Sequence, residues 1–113
     1  MTELDQRLPA ALARALPPKR RKALDSPLRR RIVRALNAAA EPRSLKELTL
    51  AVPGCGLSSV SYHLAVLEQC GCVAVSEDPA GPPCCARLFA SSLLGDRGVA
   101  EALEATRELD RSG

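Results

Sequence analysis

Within five residues the chain carries four hydroxyl side chains, Ser58, Ser59, Ser61 and Tyr62. A hydroxyl donates and accepts hydrogen bonds without bringing charge, so this cluster suits contact with polar edges and anionic oxygens. The other groups with chemical reach are one histidine, His63, and five cysteines, Cys55, Cys70, Cys72, Cys84 and Cys85. Proton transfer by His63 would need a carboxylate or nucleophile beside it, and the sequence nominates none. His63 reads as a packed residue at the edge of an apolar stripe. A thiolate metal site needs its cysteines gathered around one ion. A hairpin turning near Ala80-Gly81 would put Cys84 opposite about Glu77 and leave Cys72 roughly 16 Å away at ~3.3 Å per residue. Adjacent Cys84 and Cys85 would also point to opposite faces. The cysteines therefore read as small buried apolar residues, and no cofactor or metal is expected.

The hydroxyls need a helix to present them. Val60, Leu64 and Leu67 recur at i, i+4, i+7 and predict one buried stripe along a helix at about 57–70. Ser58, Tyr62, Ala65 and Gln69 then fall on the opposite face, with Ser59 and Ser61 at its edges. Gly71 follows, where a left-handed C′ residue commonly closes a helix. Upstream, Ser44-Leu45-Lys46-Glu47 is a capping box that opens a short helix with the stripe Leu45, Leu48, Val52. Pro53-Gly54-Cys55-Gly56 between the two is a tight turn. Two short helices so joined predict a helix-turn-helix, whose second helix reads DNA in the major groove.

The flanking segments fit around that pair. Ser26-Pro27 starts a helix with the stripe Leu28, Ile32, Val33, Leu36, while Arg29, Arg30, Arg31 and Arg34 cover its remaining faces. It stops before Glu41-Pro42. After Gly71, alternate β-formers in 72–76, a turn at Pro79–Pro83 and a return over 84–90 predict a hairpin wing, with Leu88 and Phe89 for the core. Leu4, Leu8, Leu12 and Leu16, with Pro9 in the first turn, form an N-terminal amphipathic helix ended by Pro17-Pro18. Lys19-Arg20-Arg21-Lys22 then reads as a basic connector, either solvated or touching phosphate. Val99, Ala102, Leu103 and Leu109 mark an amphipathic tail helix. Two such end helices exceed what one small core needs and point to a dimer interface; the plainer alternative is that both close the monomer core.

Composition sets the outer limits. At 113 residues with 2% aromatics, the chain is one domain with an aliphatic core and no ring-lined cofactor pocket. No apolar run reaches the ~18–20 residues needed to span a bilayer, and the acidic start Met1–Asp5 has no apolar signal core, so a cytoplasmic protein without a membrane role is expected. An odd number of cysteines argues against a disulfide framework. Residues 1–43 hold 11 Lys/Arg against 4 Asp/Glu, a balance of +7, whereas residues 44–113 hold 5 against 9, or −4. The basic half suits an acidic partner such as nucleic acid.

These residues resemble the winged helix-turn-helix regulators of the ArsR type, from about Leu24 to Ala90. Leu24–Arg34 looks like the family opening "L-x-x-P-x-R-x-x-I-L", and Ser44–Leu48 is similar to its "S-x-x-E-L". Leu57–Gly71 resembles "S-T-V-S-Y-H-L-x-x-L-E-x-x-G". The resemblance implies a dimeric transcriptional regulator with the recognition helix in the major groove of double-stranded DNA and the wing on the flanking backbone. Departures are one extra turn residue, most simply Pro53; Cys55 where the family has an apolar residue; and no cysteine pair in Ser44–Val52 where metal-sensing relatives carry one. The wing is acidic, with Glu77 and Asp78 against Arg87 alone. From 44 to 90 the count is 2 basic and 4 acidic.

The expected fold is thus mostly α with a small β-hairpin wing: a three-helix core plus wing between amphipathic terminal helices. Residues 1–23 form the N-terminal helix and connector, 24–90 the winged helix-turn-helix domain, and 91–113 the C-terminal helix for homodimerisation. Ser58, Ser59, Ser61, Tyr62, Ala65, Lys46, Arg29, Arg31 and Arg87 are the expected DNA contacts. The function expected is sequence-specific transcription regulation without enzymatic activity; alternatives are a protein-interaction module with weak DNA binding, or a thiol- or metal-responsive regulator. No effector, operator or direction of regulation is legible.

Overall fold

The computed structural model describes residues 10–78, 80, 87–93 and 95–112, with the side chains at 11, 109, 111 and 112 outside that description. Ser26 caps helix α3 (Pro27–Ala38) by accepting from the Arg29 amide at 3.4 Å, with Pro27 at the first helical position. Along α3, Ile32, Val33 and Leu36 are buried, and the later helices pack on this helix. The capping box is complete in both directions at the start of α4 (Leu45–Ala51): the Glu47 amide donates to Ser44 Oγ, and the Ser44 amide donates back to the Glu47 carboxylate. Gly54 takes a left-handed φ of +90° in the turn, and α5 (Leu57–Gln69) follows. Val60, Leu64 and Leu67 of α5 are buried against α3 and α4.

Gly71 also lies in the left-handed region, at φ +80°, as its place after α5 predicts. A Cβ there would bring a conformational cost of about 1–2 kcal/mol. Gly71→Ala should accordingly lower the unfolding free energy by about 1–2 kcal/mol in urea denaturation. The chain then enters β2 (Val73–Glu77), which pairs antiparallel with β3 (Arg87–Ser91). A two-residue strand, β1 (Arg43–Ser44), joins the other edge of β3 and makes the sheet order β1-β3-β2. Val73 and Phe89 face the core. The hairpin register differs from expectation: Arg87, not Cys84, stands opposite Glu77, so the connection between strands is longer than a turn at Ala80-Gly81 allows. Cys84 and Cys85 lie outside the described residues.

The ends fold back on this core. α1 (Ala10–Ala15) packs on α6 (Arg97–Ala105), and Leu12, Leu16, Val99 and Leu103 are all buried within the single chain. The described members of the stripes that pointed to a dimer interface are thereby used in closing one protomer. Leu4, Leu8, Pro9 and the Leu109 side chain fall outside the described residues. The basic run is not a connector. It forms α2 (Pro18–Ala23), with extended Pro17 as N-cap and Pro18 in the first turn, so the Pro-Pro pair that ends α1 also begins α2. The tail is two helices rather than one, α6 and α7 (Arg107–Ser112), separated at Thr106. Asp96 caps α6 by accepting from the Val99 amide at 3.2 Å. No helix among the described residues is long and apolar enough to cross a membrane.

Candidate nucleic-acid interface

Helix α5 presents the surface its sequence pattern predicts. Ser58, Ser59, Ser61, Tyr62, Ala65 and Gln69 are all exposed, opposite the buried stripe. Tyr62 is 63% exposed, an unusual position for the chain's one tyrosine. Glu68 is the only charged residue of the helix. Gly56 is its N-cap and supplies no side-chain bond, so the open first-turn amides leave the positive end of the helix available to an anionic oxygen. A face of hydroxyls and one ring can approach a groove closely. Its hydroxyls can donate or accept at bases and phosphates alike.

The arginines of α3 do not form the continuous cationic surface that their sequence suggests. Arg30 is fully buried and Arg34 nearly so. Both bind Asp110 of α7, Arg30 through Nη2 at 2.7 Å. Arg30 also donates to the Leu24 carbonyl at 2.8 Å, and Arg34 donates to Thr106 Oγ1 at 2.6 Å. The sequence reading that spread all four arginines over outer faces is corrected here: two of them bolt the C-terminal helix to the domain. Burial pushes the Asp110 carboxyl up, but the hydrogen bonds and charges of the two guanidiniums outweigh it and hold its pKa below the usual aspartate value.

Arg29 and Arg31 remain, pointing different ways. Arg29 is half-buried, donates Nε to the Ala23 carbonyl at 2.6 Å and brings Nη1 to 3.5 Å from His63 Nδ1. It spans from the end of α2 to α5. His63 meets Tyr62 edge-on, with ring centroids 5.2 Å apart. Burial, and then the Arg29 charge, lower the His63 pKa, which keeps the ring neutral at pH 7. His63 is thus a packed residue that braces Tyr62 from behind. Arg31 reaches the Pro53 carbonyl at 3.4 Å, in the turn that leads into α5. Lys46 stands exposed in the first turn of α4.

On the wing, Arg87 lies 3.6 Å from Glu68 of α5 and its guanidinium sits over the Phe89 ring at 5.6 Å. Both partners of that ion pair are well exposed, so it contributes little and ties the wing to α5 only loosely. Sequence reasoning missed the place of α2. That helix packs against α5 and leaves Lys19, Arg21 and Lys22 exposed, while Arg20 lies over Gly71. The signal was present in Pro17-Pro18, which begins a helix as readily as it ends one.

Cys72 is completely buried, and burial pushes its thiol up to about 11, so it is a packing residue and not a nucleophile. Cys55 and Cys70 are half-buried. Among the described residues no three His, Cys, Asp or Glu side chains are grouped to hold a metal ion.

Compared with known proteins, residues 24–75 match the model of a family described as a helix-turn-helix domain. No curated protein and no solved structure matches the chain. The matched segment runs from Leu24, two residues before the α3 cap, through α4, the Gly54 turn and α5, into β2. Joined to the three-stranded antiparallel sheet, that segment, which is similar to a helix-turn-helix domain, makes up a winged helix-turn-helix fold.

Proposed function

We propose that the chain is a sequence-specific, non-enzymatic transcriptional regulator of the ArsR-like type. In this reading α5 lies in the major groove and the β2–β3 wing lies beside the flanking backbone. The observation that carries it is the exposed, uncharged face Ser58, Ser59, Ser61, Tyr62 and Ala65 on a helix held by a capped partner helix. Lys46, Arg31 and Arg87 meet phosphate, and Arg29 acts mainly by bracing His63 and Tyr62. Cytoplasmic action on double-stranded DNA follows from this role. Two copies reading two half-sites would satisfy the symmetry usual for such domains. Because the terminal stripes are buried internally, the homodimer uses the outer faces of the end helices, where Arg14 of α1 and Glu101 and Glu104 of α6 are exposed with opposite charges.

A second reading, a protein-interaction module with weak DNA binding, is favoured by the shortage of free cations near α5. Arg30 and Arg34 are buried, and Glu77 is exposed on the wing. Salt dependence separates the two. With about three phosphate contacts per protomer, log K for a selected duplex should fall with log salt at a slope of about −3 per protomer. A fluorescence-anisotropy titration between low and moderate salt measures it. Binding without sequence preference would favour the interaction module, and salt-independent affinity would remove the phosphate contacts assigned here.

A further inference from the structure

A trough runs across α3 on a side that none of the proposed base-contacting residues occupies. One part is a cleft of about 580 Å³ whose polar wall is Arg31, Arg34, Arg107 and Asp110. An adjoining cleft of about 380 Å³ is lined by Leu48 and Leu50 and edged by the Arg43–Glu47 ion pair, whose charges cancel. The two share one floor, Ala35, Ala38 and Ala51. Arg31, Ala35 and Ala38 fall at i, i+4, i+7 along one face of α3, so a cation is followed by two small side chains that leave room above the helix. Leu50 is 76% exposed at the apolar end. The wall at the other end holds three arginines and one aspartate, a formal balance of +2.

These features define a ligand. Arg34 is fixed by Asp110 and Thr106 and forms a rigid cationic wall, whereas Arg107 is exposed at the rim and paired with exposed Glu104 at 2.6 Å. Guanidiniums favour planar carboxylates, which they bind with paired hydrogen bonds. An apolar floor leading away from them favours a ligand with an aliphatic body attached to that carboxylate. Both cleft volumes fall in the range of roughly 300–1,000 Å³ typical of small-molecule sites. We propose that this trough binds a small amphipathic organic anion, its carboxylate among Arg31, Arg34 and Arg107 and its aliphatic chain over Ala35, Ala38 and Ala51 toward Leu50. Occupancy is felt at the turn before α5, because the carboxylate competes with the Pro53 carbonyl for Arg31. The site shares Arg31 with the proposed phosphate contacts, but its occupancy does not require DNA and is tested on the free protein.

The experiment is an amide-shift titration of the full ¹⁵N-labelled chain with octanoate, alongside acetate and 1-octanol. Octanoate should give saturable shifts at Ala38, Ala51 and Gly54, with acetate and octanol each at least tenfold weaker. Arg107→Gln should weaken octanoate at least fivefold. Ala38→Glu, at an exposed position, should abolish binding while leaving the spectrum folded. Acetate equal to octanoate, octanol equal to octanoate, or shifts gathered at Lys19–Lys22 would each overturn the proposal. So would the absence of shifts, or insensitivity to both variants. Shifts at the same amides on raising protein concentration without octanoate would overturn it in favour of a second copy of the chain covering the trough.

Discussion

Asp110→Ala should destabilise the chain by about 3–5 kcal/mol, the cost of leaving buried guanidiniums without their counter-charge. That is a large share of the roughly 5–15 kcal/mol available to a domain. Asp110 is 1% exposed at its side chain, and it is the shared acceptor of Arg30 and Arg34. Removing it strands two cations between α3 and α7. Replacing all three residues, Arg30→Met, Arg34→Met and Asp110→Leu, should recover most of the loss, because a buried ion cluster exchanged for apolar volume is often neutral or stabilising. Urea denaturation of the single and triple variants makes the comparison. The pH dependence has a definite sign. The folded-state pKa of Asp110 is depressed, so its contribution is fully present above the ordinary value of 3.8 and is lost as pH falls through the lower folded-state value. Acid should therefore release the C-terminal helix only below about pH 4, and the triple variant should lack that step.

Tyr62→Ala should lower affinity for a selected duplex about tenfold, within the roughly 1–3 kcal/mol that one good base contact supplies. The fold should be unaffected. Tyr62 is 63% exposed and outside the core, and surface substitutions of this kind stay within about ±0.5 kcal/mol. The ring is held edge-on against His63, itself close to Arg29, so under the proposed function Tyr62 would meet the groove already oriented. Tyr62→Phe keeps that orientation and removes only the hydroxyl, and it should lose less affinity than alanine. A melting temperature shared by all three proteins would place the effect at the interface.

What could be read from the sequence was local and periodic. The stripe Val60, Leu64, Leu67 and the reciprocal pair Ser44–Glu47 each depend on residues a few positions apart, and both stand as expected. The exposed face of α5 follows from the same periodicity. What was not legible depended on distant partners. Arg30 and Arg34 look like solvated cations until Asp110, 80 positions from Arg30, arrives beside them. β1 is two residues long, too short to carry any alternation, and exists because β3 offers it an edge. The buried terminal stripes have the same pattern whether they close a monomer or a dimer, and only the packing of α1 on α6 distinguishes the two.

The central claim is that the outer face of α5 reads DNA sequence. Its most direct measurement is an anisotropy titration with a duplex obtained by selection from a random pool, against a scrambled duplex, for the native chain and the Ser58→Ala/Ser61→Ala/Tyr62→Ala variant. The native chain should prefer the selected duplex by at least tenfold, and the variant should bind both duplexes equally while melting at the native temperature. A folded triple variant that keeps the native preference would contradict the assignment of that face.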